Sequence, residues 1–220
     1  IAGQLGVRYL LEGSVRRAGR RLRVTAQLID GLNDRHIWAD AYSGTIDDVF
    51  AIQERLARMI VDALEFRLTA RDEQRLTERA ILDLPAYECY LRARHEAWRW
   101  RKDSIDQAVH LLRAALMLIG DNARLYAALG LAHLQYREAG IDFTDRPLRG
   151  AESCASKLFE LEQNSASALL LRGWIRYSSG LVQEAVRDLK AALELEPSNA
   201  DSLLLLCNCY LISARVSSAR

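Results

Sequence analysis

The segment ASALLLRGWIRYSSGLVQEAVRDLKAALELEPSN, Ala166 to Asn199, constrains the fold more than any other part of the chain. Small residues stand at Gly173, Gly180, Ala185 and Ala192, and a proline at Pro197, within runs whose apolar residues recur at three- and four-residue intervals. Each has a physical use. Gly173 and Ala192 permit two helices to cross closely, Gly180 turns the chain between them, and Pro197 cannot continue the second helix. Leu169, Leu189, Leu193 and Leu195 supply the packing stripe.

Related pairs precede it. Ala123 opens a copy in which Tyr126, Leu129 and Gly130 repeat the first-helix pattern, and Ala151, Ala155, Leu158 and Leu161 that of the second, with GIDFTDRPL, Gly140 to Leu148, as a lengthened turn. An earlier pair joins AYECYLRARHEAW to IDQAVHLLRAALML across another long turn. After Ala200 a further first helix is expected, with Leu203, Leu206, Cys207 and Tyr210 in its core and no second helix to follow. The spacing resembles the tetratricopeptide repeat, a helix-turn-helix unit of 34 residues that stacks into a right-handed superhelix. One departure stands out: Arg172 and Arg176 occupy positions where that family places apolar residues, which predicts a weakened local core. The repeats are expected over 86–122, 123–165, 166–199 and, incomplete, 200–220.

The first third reads differently. In VRYLLEGSVRRAGRRLRVTAQLID, Tyr9, Leu11, Gly13 and Val15 alternate with Glu12, Ser14 and Arg16, and Leu22, Val24, Ala26 and Leu28 alternate with Arg21, Arg23, Thr25 and Gln27. Such alternation predicts two half-buried antiparallel strands joined by a short loop at Ala18-Gly19-Arg20. HIWADAY, His36 to Tyr42, adds a third strand with Ile37, Ala39 and Ala41 inward. Thr45 and Asp48 have the spacing of a capping box ahead of a helix expected to reach about Leu68, with Val49, Ile52, Leu56, Met59, Ile60, Ala63 and Leu64 as its apolar stripe. The fold class expected is therefore α+β: a small antiparallel sheet with a packed helix, then an all-α array.

From Ile1 to about Leu68 the residues LGVRYLLEGSVRRAGRRLRVTAQLID, HIWADAYSG and DDVFAIQERLARMIVDAL resemble the latter part of the TolB amino-terminal-like domain that bacteria attach to signalling proteins. The resemblance implies an α/β domain lacking an earlier strand and helix, an interaction or sensory role, and no catalytic residues. It also implies an effector upstream in the same polypeptide, of the serine/threonine kinase, nucleotide cyclase or winged-helix kind. A start at isoleucine agrees with a piece cut from a longer protein. Residues 69–85, charged and with Thr69 and Asp72 at capping distance, are expected to form a helical linker ending near Pro85.

The chemistry is sparse. A net charge of +1 argues against a strongly charged partner for the chain as a whole. Cys89, Cys154, Cys207 and Cys209 lack disulfide-framework or zinc-ribbon spacing, which suits the cytoplasm, and no apolar run approaches the roughly 20 residues of a membrane span. Cys207 is expected as the small residue at a helix crossing. His36, His95, His110 and His133 are scattered, and no nucleotide-binding, hydrolase or zinc motif is present, so no cofactor, metal or catalytic residue is assigned. RRAGRR, Arg16 to Arg21, with Trp38 nearby, offers the alternative of nucleic-acid binding, against the simpler reading of a solvated hairpin tip. In WRWR, Trp98 to Arg101, one tryptophan is expected to pack in the turn beneath stacked arginines. The main expectation is a non-catalytic regulatory module that holds a peptide or protein on the first-helix face of the repeats. By repeat position Tyr90, Arg94, Trp98, Arg124, Leu131, Gln135, Leu170, Trp174, Tyr177, Asn208 and Leu211 line that groove.

Overall fold

The computed structural model describes residues 2–65 and 81–218, with side chains described over 4–65 and 81–214. The chain divides into two compact units, Ile1–Arg79 and Ala80–Arg220. Most of the expected linker over 69–85 lies outside the described residues.

In the first unit, strands β1 (Tyr9–Ala18), β2 (Arg21–Asp30) and β3 (Arg35–Thr45) form an antiparallel sheet in that order. Gly19 and Arg20 turn the first hairpin, and Gly19 takes the positive φ of 60° that such turns require. Thr45 donates from its backbone N–H and its hydroxyl to the Asp48 carboxylate, at 2.7 and 2.9 Å, ahead of α1 (Val49–Ala63). Ile52, Leu56 and Met59 of α1 cover Leu22, Val24 and Tyr42.

Three expectations need correction here. The helix ends at Ala63, short of Leu68. The inward face of β3 carries Trp38, Asp40 and Tyr42, which stand opposite Leu28, Ala26 and Val24, so Ala39 and Ala41 face outward and the expected set is one residue out of phase. An irregularity between Leu28 and Ile29 absorbs Ile37, and alternation read from the His36 end therefore loses register. Finally, Leu11 and Val15 share the face of Leu28 and Val24 but remain exposed, Val15 by 70%, because α1 lies over β2 and β3 and leaves β1 as an uncovered edge.

The second unit is built of helices: α2 (Leu84–Ala97), α3 (Lys102–Ile119), α4 (Ala123–Glu138), α5 (Asp145–Leu161), α6 (Ala166–Ser178), α7 (Val182–Leu195) and α8 (Ala200–Ser218). Side-chain oxygens of Asp83, Asn122, Thr144, Ser165 and Asn199 accept first-turn N–H groups and fix where five of them begin. The Thr144 cap starts α5 at Asp145, inside the stretch expected as turn, so Pro147 and Leu148 are helical. At Gly180, φ is 80°, and the chain leaves α6 for α7 without a side-chain clash.

Helices pair as α2 with α3, α4 with α5, and α6 with α7, and each second helix packs on the first helix of the next pair. First helices also touch one another along the stack: α2 on α4, α4 on α6 and α6 on α8. Close spacing of the first helices makes their face the inner one. A Cβ on Gly130 would lie 2.5 Å from Leu171 Cδ2, and one on Gly173 would lie 3.1 Å from Leu189 Cγ, so these glycines set the approach of α4 to α6 and of α6 to α7. This is a small three-stranded sheet followed by a tetratricopeptide-like stack.

The core of α8 differs from expectation. Ser202, Leu205 and Cys209 are buried, whereas Leu203, Cys207 and Tyr210 are exposed. The cause lies in the repeat. Leu203, Cys207 and Tyr210 stand 34 residues after Leu169, Gly173 and Arg176, and Gly173 and Arg176 meet Leu189 and Asp188 on the second helix of their own pair. Ser202, Leu205 and Cys209 correspond to Ala168, Leu171 and Ile175, which face the preceding pair. With no described second helix beside α8, only the stripe that faces backward is buried, and Cys209 takes the crossing position expected of Cys207.

Candidate functional site

The inner face is best built from α4 and α6. Leu171 fills the space over Gly130, and one end further along Ser178 Oγ lies 3.0 Å from Glu138 Oε1, so the two helices run side by side in the same direction. Trp174 lies between the two main apolar clusters and packs on both. Its Nε1–H and the Oε1 of Gln135 are buried without a hydrogen-bond partner among the described residues. Leu131 packs on the first cluster and Tyr177 on the second, both half-buried. Burial pushes the Tyr177 phenol up, with Glu138 adding to it, so it stays a neutral donor.

The remaining positions fall into two groups. Tyr90 and Leu170 are buried and serve as packing beneath the face, leaving little surface for a partner. Arg94, Trp98, Arg124 and Leu211 are exposed, and Asn208 is half-buried. Tyr87 and Tyr90 stack with ring centroids 6.3 Å apart, and the Arg94 guanidinium lies 5.9 Å from the Tyr90 centroid, so the aromatic base orients the cation above it. Trp98 is 71% exposed and Trp100 43%, so the turn does not bury either ring, contrary to the expected packing. Trp100 holds φ 52°, an uncommon conformation for a bulky residue, in a connection between α2 and α3 that spans only residues 98–101 and so is not the long turn expected there.

Away from that face, Arg172 and Arg176 have a partner that sequence reasoning missed. Arg172 grips Asp188 with two hydrogen bonds of 2.9 and 2.7 Å, Arg176 adds one of 2.6 Å, and the Arg172 guanidinium lies 4.9 Å from the Phe159 ring centroid. The bond to Asp188 raises the Arg172 pKa further. An ion triad thus stands where the apolar core was expected to weaken. The signal was available: two arginines one helical turn apart on α6 call for a carboxylate on the facing α7, and Asp188 occupies a core position there.

His36, His95 and His110 are exposed, and the His133 ring lies against Gly150, where a Cβ would come within 2.9 Å of it. Burial first, then Arg113 and Arg146, lowers the His133 pKa to about 4, which leaves the ring neutral near pH 7. Among the described residues no group of three or more His, Cys, Asp or Glu is placed to hold a metal ion. No described helix is long and apolar enough to cross a membrane.

No family model matches the chain. Over 134 residues, 61% of its length, it is 39% identical to a putative adenylate cyclase 3 of Rhizobium meliloti (strain 1021), and that match spans 23% of the relative's length. Among solved structures it is similar to the first TPR domain of the human RPAP3 protein, with 18% identity, a TM-score of 0.45, and coverage of 61% of this chain and 99% of that one. It is also similar to the Arabidopsis OM64 TPR domain, with 22% identity, a TM-score of 0.42, and coverage of 56% and 93%. A third is the first TPR of Spaghetti (RPAP3) bound to an HSP90 peptide, with 20% identity, a TM-score of 0.44, and coverage of 59% and 94%.

Proposed function

We propose that this chain is a non-catalytic interaction module of a bacterial signalling protein, which holds a peptide or protein segment on the first-helix face of its helical unit. What supports the reading is that α2, α4, α6 and α8 touch in succession, that Arg94, Trp98 and Arg124 are exposed and that Gln135, Trp174 and Tyr177 are half-buried. Aromatic and arginine side chains over a packed base are the usual anchors of an interface. The match to part of a bacterial putative adenylate cyclase supports a parent protein in which an upstream effector domain, such as a cyclase, is joined to this module in the cytoplasm. In that reading the sheet unit is the TolB-like connector between the two.

The nucleic-acid alternative finds less support, because Trp38 stands opposite Leu28 on the covered face of the sheet and offers no stacking surface beside the arginines. The test is selection of a random peptide library on the full chain. Selected peptides should lose about tenfold or more in affinity with Arg94→Ala or Trp98→Ala, the loss of one anchor. Peptides indifferent to both substitutions would place the binding surface elsewhere.

A further inference from the structure

The hairpin arginines divide into two kinds. Arg20 is paired with Asp47 at 2.5 Å, and Arg17 donates to the Gly19 carbonyl. Arg16, Arg21 and Arg23 are exposed and have no hydrogen-bond or ion-pair partner among the described residues. All three lie on the outer face of the sheet, because Leu22, between Arg21 and Arg23, points to the covered side and Arg16 stands directly opposite Arg23 across the β1–β2 ladder. Directly opposed like charges destabilise a strand pair. Cross-strand neighbours have Cβ atoms about 5 Å apart, and residues two apart on a strand are separated by about 7 Å. Arginine side chains are long enough that all three guanidinium forks can reach one region the size of a tetrahedral anion.

The groups next to the three arginines on that face are hydroxyls. Ser14 and Thr25, the next pair along that face, share a hydrogen bond of 2.8 Å, and Ser43 stands opposite Arg23 on β3. Of the carboxylates nearby, Asp47 pairs with Arg20, while Asp48 and Glu12 accept hydrogen bonds from the neutral groups of Thr45 and Gln27 and keep their charge. The region offers hydroxyls and three arginines without an ion-pair partner among the described residues.

We propose that Arg16, Arg21 and Arg23 form a binding site for a dianionic phosphate group of a small soluble molecule, whose charge relieves the opposed Arg16–Arg23 pair. Guanidinium forks bind phosphate oxygens through paired, charge-assisted hydrogen bonds, which is the chemistry that three of them on one face supply.

The test titrates the full chain with pyrophosphate at constant ionic strength and follows the arginine Nε–Hε signals by NMR. Arg16, Arg21 and Arg23 should move together along one saturating curve while Arg20 stays in place. Arg16→Gln and Arg23→Gln should each weaken binding about tenfold, the loss of one charged hydrogen-bonding group, and Arg20→Gln less than about twofold because its charge is already paired. Non-saturating drift of every arginine signal, or Arg16 and Arg23 variants that bind as tightly as the parent chain, overturns the proposal. Tighter binding of single-stranded oligonucleotides that strengthens with length and is lost in the same variants also overturns it, in favour of a nucleic-acid surface.

Discussion

Removal of Asp188 tests the ion triad between α6 and α7. The Asp188 side chain is 5% exposed, and the Arg172 and Arg176 side chains that hold it are 39% and 33% exposed. Deleting one member of a buried ion pair costs about 3–5 kcal/mol, because the partner charge is left desolvated. Both guanidiniums here reach water in part, so the cost of Asp188→Ala falls to about 2–3 kcal/mol. Replacing all three residues by leucine removes the triad's charges and keeps apolar volume. Its expected effect lies between no change and a gain of about 1–2 kcal/mol, less up to about 1 kcal/mol for the lost contact with Phe159. Urea unfolding followed by circular dichroism reads both: at roughly 2 kcal/mol per molar urea, Asp188→Ala should lower the midpoint by about 1 M. A midpoint within about 0.2 M of the parent for Asp188→Ala, or a triple variant less stable than the single one, would refute the reasoning.

Other consequences follow from the same geometry. Gly130→Ala should destabilise the helical unit by about 1–3 kcal/mol because its Cβ would overlap Leu171, whereas Gly173→Ala, 3.1 Å from Leu189, should cost less; paired urea curves decide the order. The His133 pKa is lowered to about 4 in the folded chain, so between the ordinary 6.5 and 4 the unfolded chain binds more protons. Stability is therefore full above pH 6.5 and falls toward pH 4, by on the order of 2–3 kcal/mol from this residue, and His133→Gln should flatten that slope of urea midpoint against pH. Among the free cysteines Cys207 is exposed and Cys154 and Cys209 are buried, with burial pushing the Cys154 thiol up to about 11, so brief maleimide treatment read by mass spectrometry should label Cys207 well before those two.

The elements that were legible in the sequence share a property: their determinants are local. Hairpin polarity, the Thr45–Asp48 cap and the glycines at helix crossings depend on residues within a few positions or on one repeat length. What was misread depends on a neighbour. The face of β3 shifted because one bulge residue is invisible to an alternation count. Leu11 and Val15 of β1 follow the right parity and remain uncovered, since parity says which way a side chain points and not what lies above it. In α8 the expected core was that of a helix sandwiched on two sides, and burial follows only the side where a neighbour is present. The groove positions share that limit: repeat position placed Trp98 and Arg94 on the surface and equally named Tyr90 and Leu170, which adjacent helices bury. Arg172 and Arg176 depart from the repeat pattern, and that pattern carries no information on the Asp188 carboxylate that holds them from the facing helix.

A partner held on the first helices should shield the surface that they share. Hydrogen exchange on the full chain with a library-selected peptide bound tests this most directly. Added protection in α2, α4 and α6, with α3, α5 and α7 unchanged, is the expected result. Protection confined to the second helices, or to the sheet unit, would contradict it.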